Sequence, residues 1–150
     1  MVEHYEFEIA STQKRTVAFF IDDLVVALLV FAIFYEKLMG LSAIVSLEER
    51  INAVQLFLNQ SIPIFVAIKT VYHTFFVWQN GKTLGKHLMK IKVIEIFRHT
   101  HPTFATAFLR ALLRIVSEAI FYVGFIFAFF SPMAQTLHDK LSKCVVVYDK

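Results

Sequence analysis

Two adjacent aspartates, Asp22 and Asp23, lie inside the apolar run VAFFIDDLVVALLVFAIFY, which extends from Val17 to Tyr35. A carboxylate near the middle of a membrane helix costs about 2.5–3.5 kcal/mol of insertion free energy. Such side chains are expected to face protein or water rather than acyl chains. The two aspartates therefore predict a polar site inside an otherwise apolar helix.

Other ionisable residues recur at helical spacing in later apolar stretches. Residues four apart share one face of a helix, and this holds for Lys69 with His73 and for Arg110, Arg114 and Glu118. A helix rises 1.5 Å per residue, so Asp22, His73 and Arg110 all lie about 8–9 Å from the expected cytoplasmic ends of their segments. The simplest arrangement is one polar layer of Asp22, Asp23, Lys69, His73 and Arg110. The complete predicted intramembrane cluster is Asp22, Asp23, Lys69, His73, Arg110, Arg114 and Glu118.

Such a cluster has two interpretations. Buried ion pairs can fix the register of membrane helices. Alternatively, the cluster is a site for a proton or a monovalent cation, with Asp22 as the carboxylate and His73 as a group that changes charge near neutral pH. Two or three spans are too few to enclose a pathway, so transport would require a homo-oligomer or another membrane protein as partner.

The segment from Gln79 to Thr103 forms a basic loop, whose lysines are Lys82, Lys86, Lys90 and Lys92. Lysines beside a membrane attract anionic lipid headgroups with about 1 kcal/mol each. They can also serve only to enforce topology, and both interpretations stay open. The stretch GKTLGK lacks the spacing of a phosphate-binding P-loop, so no nucleotide cofactor is expected.

The elements that must position these residues follow from composition and length. Of the 150 residues, 57% are apolar and 18% are charged, whereas about a quarter are charged in a typical soluble domain. The stretches 17–35 and 57–78 are long enough to cross a hydrocarbon core of about 30 Å. We predict an all-α integral membrane protein, a small helical bundle that forms one domain over residues 1–150.

The third apolar region, 104–130, allows two structures. Its second half is too short to cross a membrane alone before Ser131 and Pro132 interrupt it. Either one long tilted helix runs through the whole region, or an amphipathic helix at the interface leads into a short re-entrant or tilted segment. We therefore expect a third membrane-associated helical region whose path the sequence does not decide.

The distribution of basic residues predicts the orientation. The segment 79–103 is strongly basic, whereas 36–56 is slightly acidic. The positive-inside rule then places the basic loop and both termini in the cytoplasm. Two runs rich in β-branched residues, 90–97 and 144–148, would share that side and predict a short cytoplasmic β-hairpin.

Three stretches together resemble the RDD family of membrane proteins, which is named for one arginine and two aspartates. RTVAFFID is similar to the opening signature of the family and contains Arg15 and Asp22. GKTLGKHLMKIKV is similar to the loop after the second span, and LHDKLSKCVVV resembles the closing motif, with Asp139 as its aspartate. Two positions depart from the family pattern: Cys144 replaces the usual threonine, and His87 replaces an arginine or lysine.

The resemblance implies a multi-pass protein of the bacterial inner (plasma) membrane. Its biochemistry would be poorly defined, with transport sometimes suggested and no substrate implied. From its position, Asp139 is expected to cap or tether the C-terminal segment, for instance to a lysine of the basic loop.

Several functional classes are not predicted. The sequence contains no Gly-x-Ser-x-Gly, HExxH or paired-cysteine motif, so we expect no enzyme, no metal site and no cofactor. The net charge of +3 is not accompanied by a nucleic-acid-binding pattern, so no nucleic acid is expected as a partner. We predict a transport-associated membrane protein whose partners include membrane lipids. The alternative is a structural or accessory membrane subunit that transports nothing.

Overall fold

A computed structural model describes residues 7–120 and 123–149 of the chain. Within these ranges the protein is mostly helical and contains one small sheet. The elements in chain order are α1 (Thr12–Ser42), α2 (Leu47–Asn80), α3 (Leu84–Leu88), β1 (Ile91–Glu95), α4 (Phe104–Ala119), α5 (Val123–Phe130), α6 (Leu137–Leu141) and β2 (Cys144–Tyr148).

The helices α1 and α2 are both long and apolar enough to cross a membrane. A capping serine precedes each helix, Ser11 before α1 and Ser46 before α2. Its side chain accepts a hydrogen bond from a backbone N–H of the first turn. These caps lie outside the apolar runs, so both helices extend beyond the predicted spans of 17–35 and 57–78. Helix α2 ends at Gly81, whose φ of 68° closes the helix in the left-handed conformation that suits glycine.

The third apolar region divides into α4 and α5. The backbone leaves helical geometry at Ile120, where ψ is 49°, so a single continuous helix over 104–130 is not formed. The buried residues of α4 recur every three or four positions and pack against α2, as in an amphipathic helix. The eight residues of α5 cover about 12 Å, which is too short to cross a membrane alone. Phe121 and Tyr122, which the predicted region includes, lie outside the described residues.

The two runs of β-branched residues pair as an antiparallel sheet. Its register joins Ile91 to Tyr148 and Glu95 to Cys144. The expected pairing is thus confirmed, but the strands do not form a hairpin, because α4, α5 and α6 lie between them in the chain. Near the N-terminus, Ile9 forms a β-bridge with Val147. Chain segments from near both ends therefore meet at this sheet.

The sheet lies inside the apolar core of the protein. One of its faces contributes to a cluster that also includes the ends of the long helices: Ala10, Ala18, Val77, Ile91, Val93, Ala107, Cys144 and Val146. On the other face, Ile94, Val145 and Val147 form a second cluster. Because strand side chains alternate between faces, a strand with both faces buried needs the nearly continuous apolar sequence seen in β2. The sheet thereby holds together the start of α1, the end of α2 and the start of α4.

Candidate functional site

The carboxylate of Asp22 joins three helices. Asp22 is completely buried, and its Oδ1 accepts hydrogen bonds from the Tyr72 hydroxyl at 2.9 Å and the Gly85 N–H at 2.8 Å. Its Oδ2 accepts a third bond from the Thr83 hydroxyl at 2.6 Å, and Lys86 Nζ lies 3.8 Å from the same oxygen. Three hydrogen-bond donors thus stabilise the buried carboxylate without contact to water. We call these five residues the Asp22 group.

The close contact between α1 and α3 depends on small residues. A Cβ added to Gly85 would lie 2.2 Å from the carbonyl oxygen of Ala18 and 3.0 Å from Cγ of Asp22. Only glycine lets the backbone N–H of α3 approach the carboxylate this closely. Asp22 and the stretch GKTLGK are recognisable separately in the sequence, but no local pattern indicates that they meet.

Lys86 is buried beside Asp22 in the short helix α3. The pKa of its ammonium is lowered to about 7, mainly by burial; Arg110 and Arg114 act in the same direction, whereas Asp22 and Asp139 oppose them. Among the four lysines of the basic loop, it therefore has the most unusual environment. The sequence alone had grouped it with solvated neighbours.

Four charged side chains from α1, α2 and α4 form a second group with alternating signs. Lys69 Nζ lies 3.0 Å from Asp23 and also binds Glu118. Arg114 lies 3.0 Å from Glu118 and 3.5 Å from Asp23. These contacts close a loop of four ion pairs, which we call the charged ring. Asp23 is its most open member, because 28% of its side chain is exposed against 5–13% for the other three.

His73 lies beside the charged ring. It is 3% exposed, and its Nδ1 is 3.4 Å from Nη1 of Arg114. If the arginine donates, Nδ1 is the acceptor and Nε2 carries the proton in the neutral ring. Within the part of the chain that the structure describes, the buried Nε2 has no hydrogen-bond partner.

Asp139 forms a third group with two arginines. Arg110 donates to its Oδ1 from Nε at 2.8 Å and from Nη2 at 2.5 Å, and Arg15 Nη1 lies 3.8 Å from its Oδ2. Asp139 also forms a capping box with Thr136 at the start of α6. The expected capping role is thus seen, but the expected lysine tether is wrong, because Arg110 occupies that place.

The environment of Asp139 holds it ionised. Burial alone raises the pKa of the Asp139 carboxyl, but Arg110 above all, and Arg15 with it, lower it well below its ordinary value. The adjacent His138 is held neutral, since burial lowers its pKa to about 3 despite the neighbouring carboxylate. This histidine accordingly contributes no charge at neutral pH.

Arg15 points toward the C-terminal segment rather than toward Asp22. Its guanidinium donates to the carbonyl oxygens of Ala134 and Val146, the latter at 2.8 Å. Together with its contact to Asp139, these bonds fix the segment around α6 and β2 to the start of α1. Of the three residues that carried the family resemblance, Arg15 and Asp139 therefore meet, while Asp22 has a separate set of partners.

The structure divides the predicted single polar layer into these three groups. Asp22 and Asp23 are consecutive, so their side chains leave α1 about 100° apart. Asp22 therefore faces α3, whereas Asp23 faces Lys69 of α2 and Arg114 of α4. Arg110, placed in the layer beside Asp22, binds Asp139 instead.

The basic loop does not present its lysines as one patch. Lys82 and Lys92 both bind Asp149, Lys92 at 3.2 Å. Lys86 is buried, and Lys90 is exposed with a φ of 54°. Binding of lipid headgroups by all four lysines remains a prediction. Among the residues described, no group of three or more histidine, cysteine or acidic side chains is arranged to hold a metal ion.

Comparison with known proteins agrees with the three motifs. The model of the RDD family matches residues 9–143. An uncharacterised protein from Rickettsia prowazekii is 30% identical over 76 residues, which cover 51% of this chain and 42% of that protein. The match thus spans less than half of that relative's length. No solved structure matches the chain.

Proposed function

Because the chain belongs to the RDD family, we propose that it is a multi-pass membrane protein whose charged ring serves the transport of a proton or a monovalent cation. The proposal rests on one observation. A ring of four largely buried charges of alternating sign links α1 and α2, which are long and apolar enough to cross a membrane, to α4. Charges are costly in such helices and are commonly retained there for ion or proton movement.

The ring contains a carboxylate that can exchange its partner. Lys69 contacts both Asp23 and Glu118, so it can leave Asp23 without becoming unpaired. A proton or a small cation on Asp23 would then replace the ammonium, and the total charge next to the carboxylate would be unchanged. The greater exposure of Asp23 offers such an ion an entry.

We propose Asp23 as the ion site in place of Asp22, the carboxylate that the sequence pattern indicated. Three hydrogen bonds already saturate Asp22, and a cation there would have to break the contact between α1 and α3. A change of charge on His73 stays a prediction, and the structure around the ring opposes it, because the guanidinium of Arg114 only 3.4 Å away would repel a protonated imidazole.

Membrane topology forms part of the proposal. We place both termini in the cytoplasm and the protein in a bacterial inner membrane. The bridge between Ile9 and Val147 supports a shared side for the two terminal segments. Two long helices do not enclose a pathway, so the transport unit would be a homo-oligomer or a complex with another membrane protein. Membrane lipids surround the exposed apolar side chains of these helices.

A non-transporting structural or accessory subunit is the second candidate. Two features favour it: the carboxylate of Asp22 already accepts three hydrogen bonds, and the charged ring contains two positive and two negative side chains. Such paired charges can serve only to fix helix register. Neither candidate involves an enzymatic reaction.

Flux measurements on reconstituted protein separate the two candidates. Purified protein is placed in vesicles with a pH gradient, and proton movement is followed in sodium, potassium and lithium. We expect Asp23→Asn to abolish cation-dependent proton flux while insertion and thermal unfolding stay close to wild type. Asp22→Asn is the matched control, because it removes the same charge one residue away but should impair folding instead.

Two results would reject the transport proposal. Full flux in Asp23→Asn would show that the ring is not the ion site. Absence of flux from the wild-type protein in every cation would favour the accessory subunit.

A further inference from the structure

A cavity of about 90 Å³ opens beside the start of α1, between α4 and α6. The charged groups in its lining are unequal in sign, because the four basic residues Arg15, Lys86, Arg110 and Arg114 face one carboxylate, Asp139. Lys86 and Arg114 also have acidic partners outside the lining, in Asp22 and in the charged ring, but the excess of basic groups around one partly open space still attracts anions. The cavity therefore differs from the charged ring, in which the signs alternate.

The positive charges of this lining are incompletely neutralised. Arg15 lies 3.8 Å from Asp139, whose Oδ1 is already occupied by Arg110. Lys86 likewise lies 3.8 Å from its carboxylate, Asp22. Both distances exceed those of direct hydrogen bonds. In addition, the buried Nε of Arg15 has no partner among the described residues, and a buried N–H group without a partner is costly.

We propose that this cavity binds one phosphate group, carried either by an anionic phospholipid or by a free phosphate ion. Arginine suits this ligand, because a guanidinium N–H forms a charge-assisted hydrogen bond to a phosphate oxygen, and Nε of Arg15 is a buried donor without a partner among the described residues. A single water needs about 10–15 Å³ of such space, so the volume is sufficient for a group of this size. The cavity shares Arg114 with the charged ring, but the phosphate proposal does not rest on the proposed ion transport.

The remaining walls are consistent with either source of the phosphate. Thr12 and Thr16 add hydroxyl groups, while Phe19, Ala128 and Phe129 form an apolar side. Phe129 is 72% exposed, so the apolar side continues to the surface, where the glycerol and acyl groups of a lipid would lie. A free phosphate ion would use only the basic part.

Calorimetric titration of the purified full-length protein in a neutral detergent tests the proposal. The three ligands are inorganic phosphate, a short-chain phosphatidylglycerol and a short-chain diacylglycerol without phosphate. Saturable binding of phosphatidylglycerol alone would support the site and assign it to lipid. Binding of inorganic phosphate would support the site for the free ion. Absence of binding by both, or equal binding of diacylglycerol, would overturn the proposal.

Two matched pairs of variants locate the binding. Lys86→Gln should weaken it about tenfold or more through loss of one charged contact, whereas Lys140→Gln removes an exposed lysine outside the cavity and should leave it unchanged. Thr16→Phe should block the cavity without removing a charge, and Val17→Phe places the same ring on the neighbouring exposed position, outside the lining.

The second pair keeps the test decisive if Lys86→Gln fails to fold. Thr16 is exposed on α1, so its replacement disturbs no buried contact of the Asp22 group. Unchanged binding in a folded Thr16→Phe protein, or an equal loss in Val17→Phe, would place the anion elsewhere and overturn the assignment.

Discussion

The two ends of the long helices differ in how their apolar residues are covered. At the end that carries the sheet, Ile91 and Val93 are fully buried. At the other end, around residues 24–60, Leu28 is 60% exposed, Val45 94% and Leu47 71%. We call these regions the sheet end and the apolar end. The sheet end encloses its own core, whereas the apolar end needs lipid or another protein to cover it.

Polar contacts follow the same division. All three polar groups lie at the sheet end. They involve the first half of α1, the second half of α2, or the segments that pack beside these halves. Buried ion pairs require good geometry and complete hydrogen bonding to be tolerated. Internal contacts therefore position the sheet end, whereas the stability of the apolar end depends on what surrounds it.

The largest expected effect comes from breaking the pair of Arg110 and Asp139. Arg110→Met leaves the buried carboxylate of Asp139 without its main partner, which should cost about 3–5 kcal/mol of unfolding free energy. Denaturant unfolding in detergent measures the loss. Adding Asp139→Leu should recover part of it, because the unpaired charge is then gone. If the losses of unfolding free energy in the two single variants simply add in the double variant, Arg110 and Asp139 do not pair directly.

A somewhat smaller loss is expected from Gly85→Ala. The new methyl group would lie 2.2 Å from the carbonyl oxygen of Ala18, so α3 must move away and weaken its bond to Asp22. We expect a loss of about 3 kcal/mol. Gly40→Ala is the matched control, since nothing lies within 4 Å of its added Cβ and it should gain up to about 1 kcal/mol of helix stability. Equal stability of both variants would contradict the close approach of α1 and α3.

Acid should weaken the sheet end through Asp139. The pKa of this carboxyl is lowered in the folded protein from its ordinary value of 3.8. A lowered pKa contributes stability that is complete above the ordinary value and is lost as pH falls toward the folded value. Wild type should therefore lose more stability than Asp139→Asn between about pH 5 and about pH 2. Thermal unfolding across that range checks this, and parallel curves for the two proteins would refute it.

The smallest effect is expected at the apolar end. Val45→Ala should change the unfolding free energy in detergent by no more than about 0.5 kcal/mol, because its side chain makes few contacts to lose. The same substitution at the sheet end, Val93→Ala, should cost about 2 kcal/mol through lost burial and a residual cavity. Similar losses at both positions would remove the distinction between the ends.

The sequence predicted part of this arrangement because some signals are local. The long apolar runs predicted α1 and α2, and the runs of β-branched residues predicted the pairing of β1 with β2. The helix boundaries were less accurate, since the capping serines Ser11 and Ser46 lie beyond the apolar residues that defined the spans. The end of α4 at Ala119 was left open, because the apolar sequence continues past it.

The partners of the charged residues were harder to predict. Arg110 and Asp139 belong to different helices and have no common local pattern. Gly85 has an ordinary place in a polar loop, and only the nearby carbonyl of Ala18 explains why a side chain does not fit there. Tyr72 and Thr83 could not be identified from the sequence, because hydroxyl groups are common and carry no signal until a carboxylate lies beside them.

Two long apolar helices and the need of Asp22 and Asp23 for polar partners can be predicted from the amino-acid sequence, because they follow from helix length and the cost of burying a charge. The identity of those partners depends on the tertiary structure. Helical periodicity assigns a residue to a face, but which neighbour that face meets depends on how the helices pack. That packing placed Asp22 against α3 and Asp23 in the charged ring.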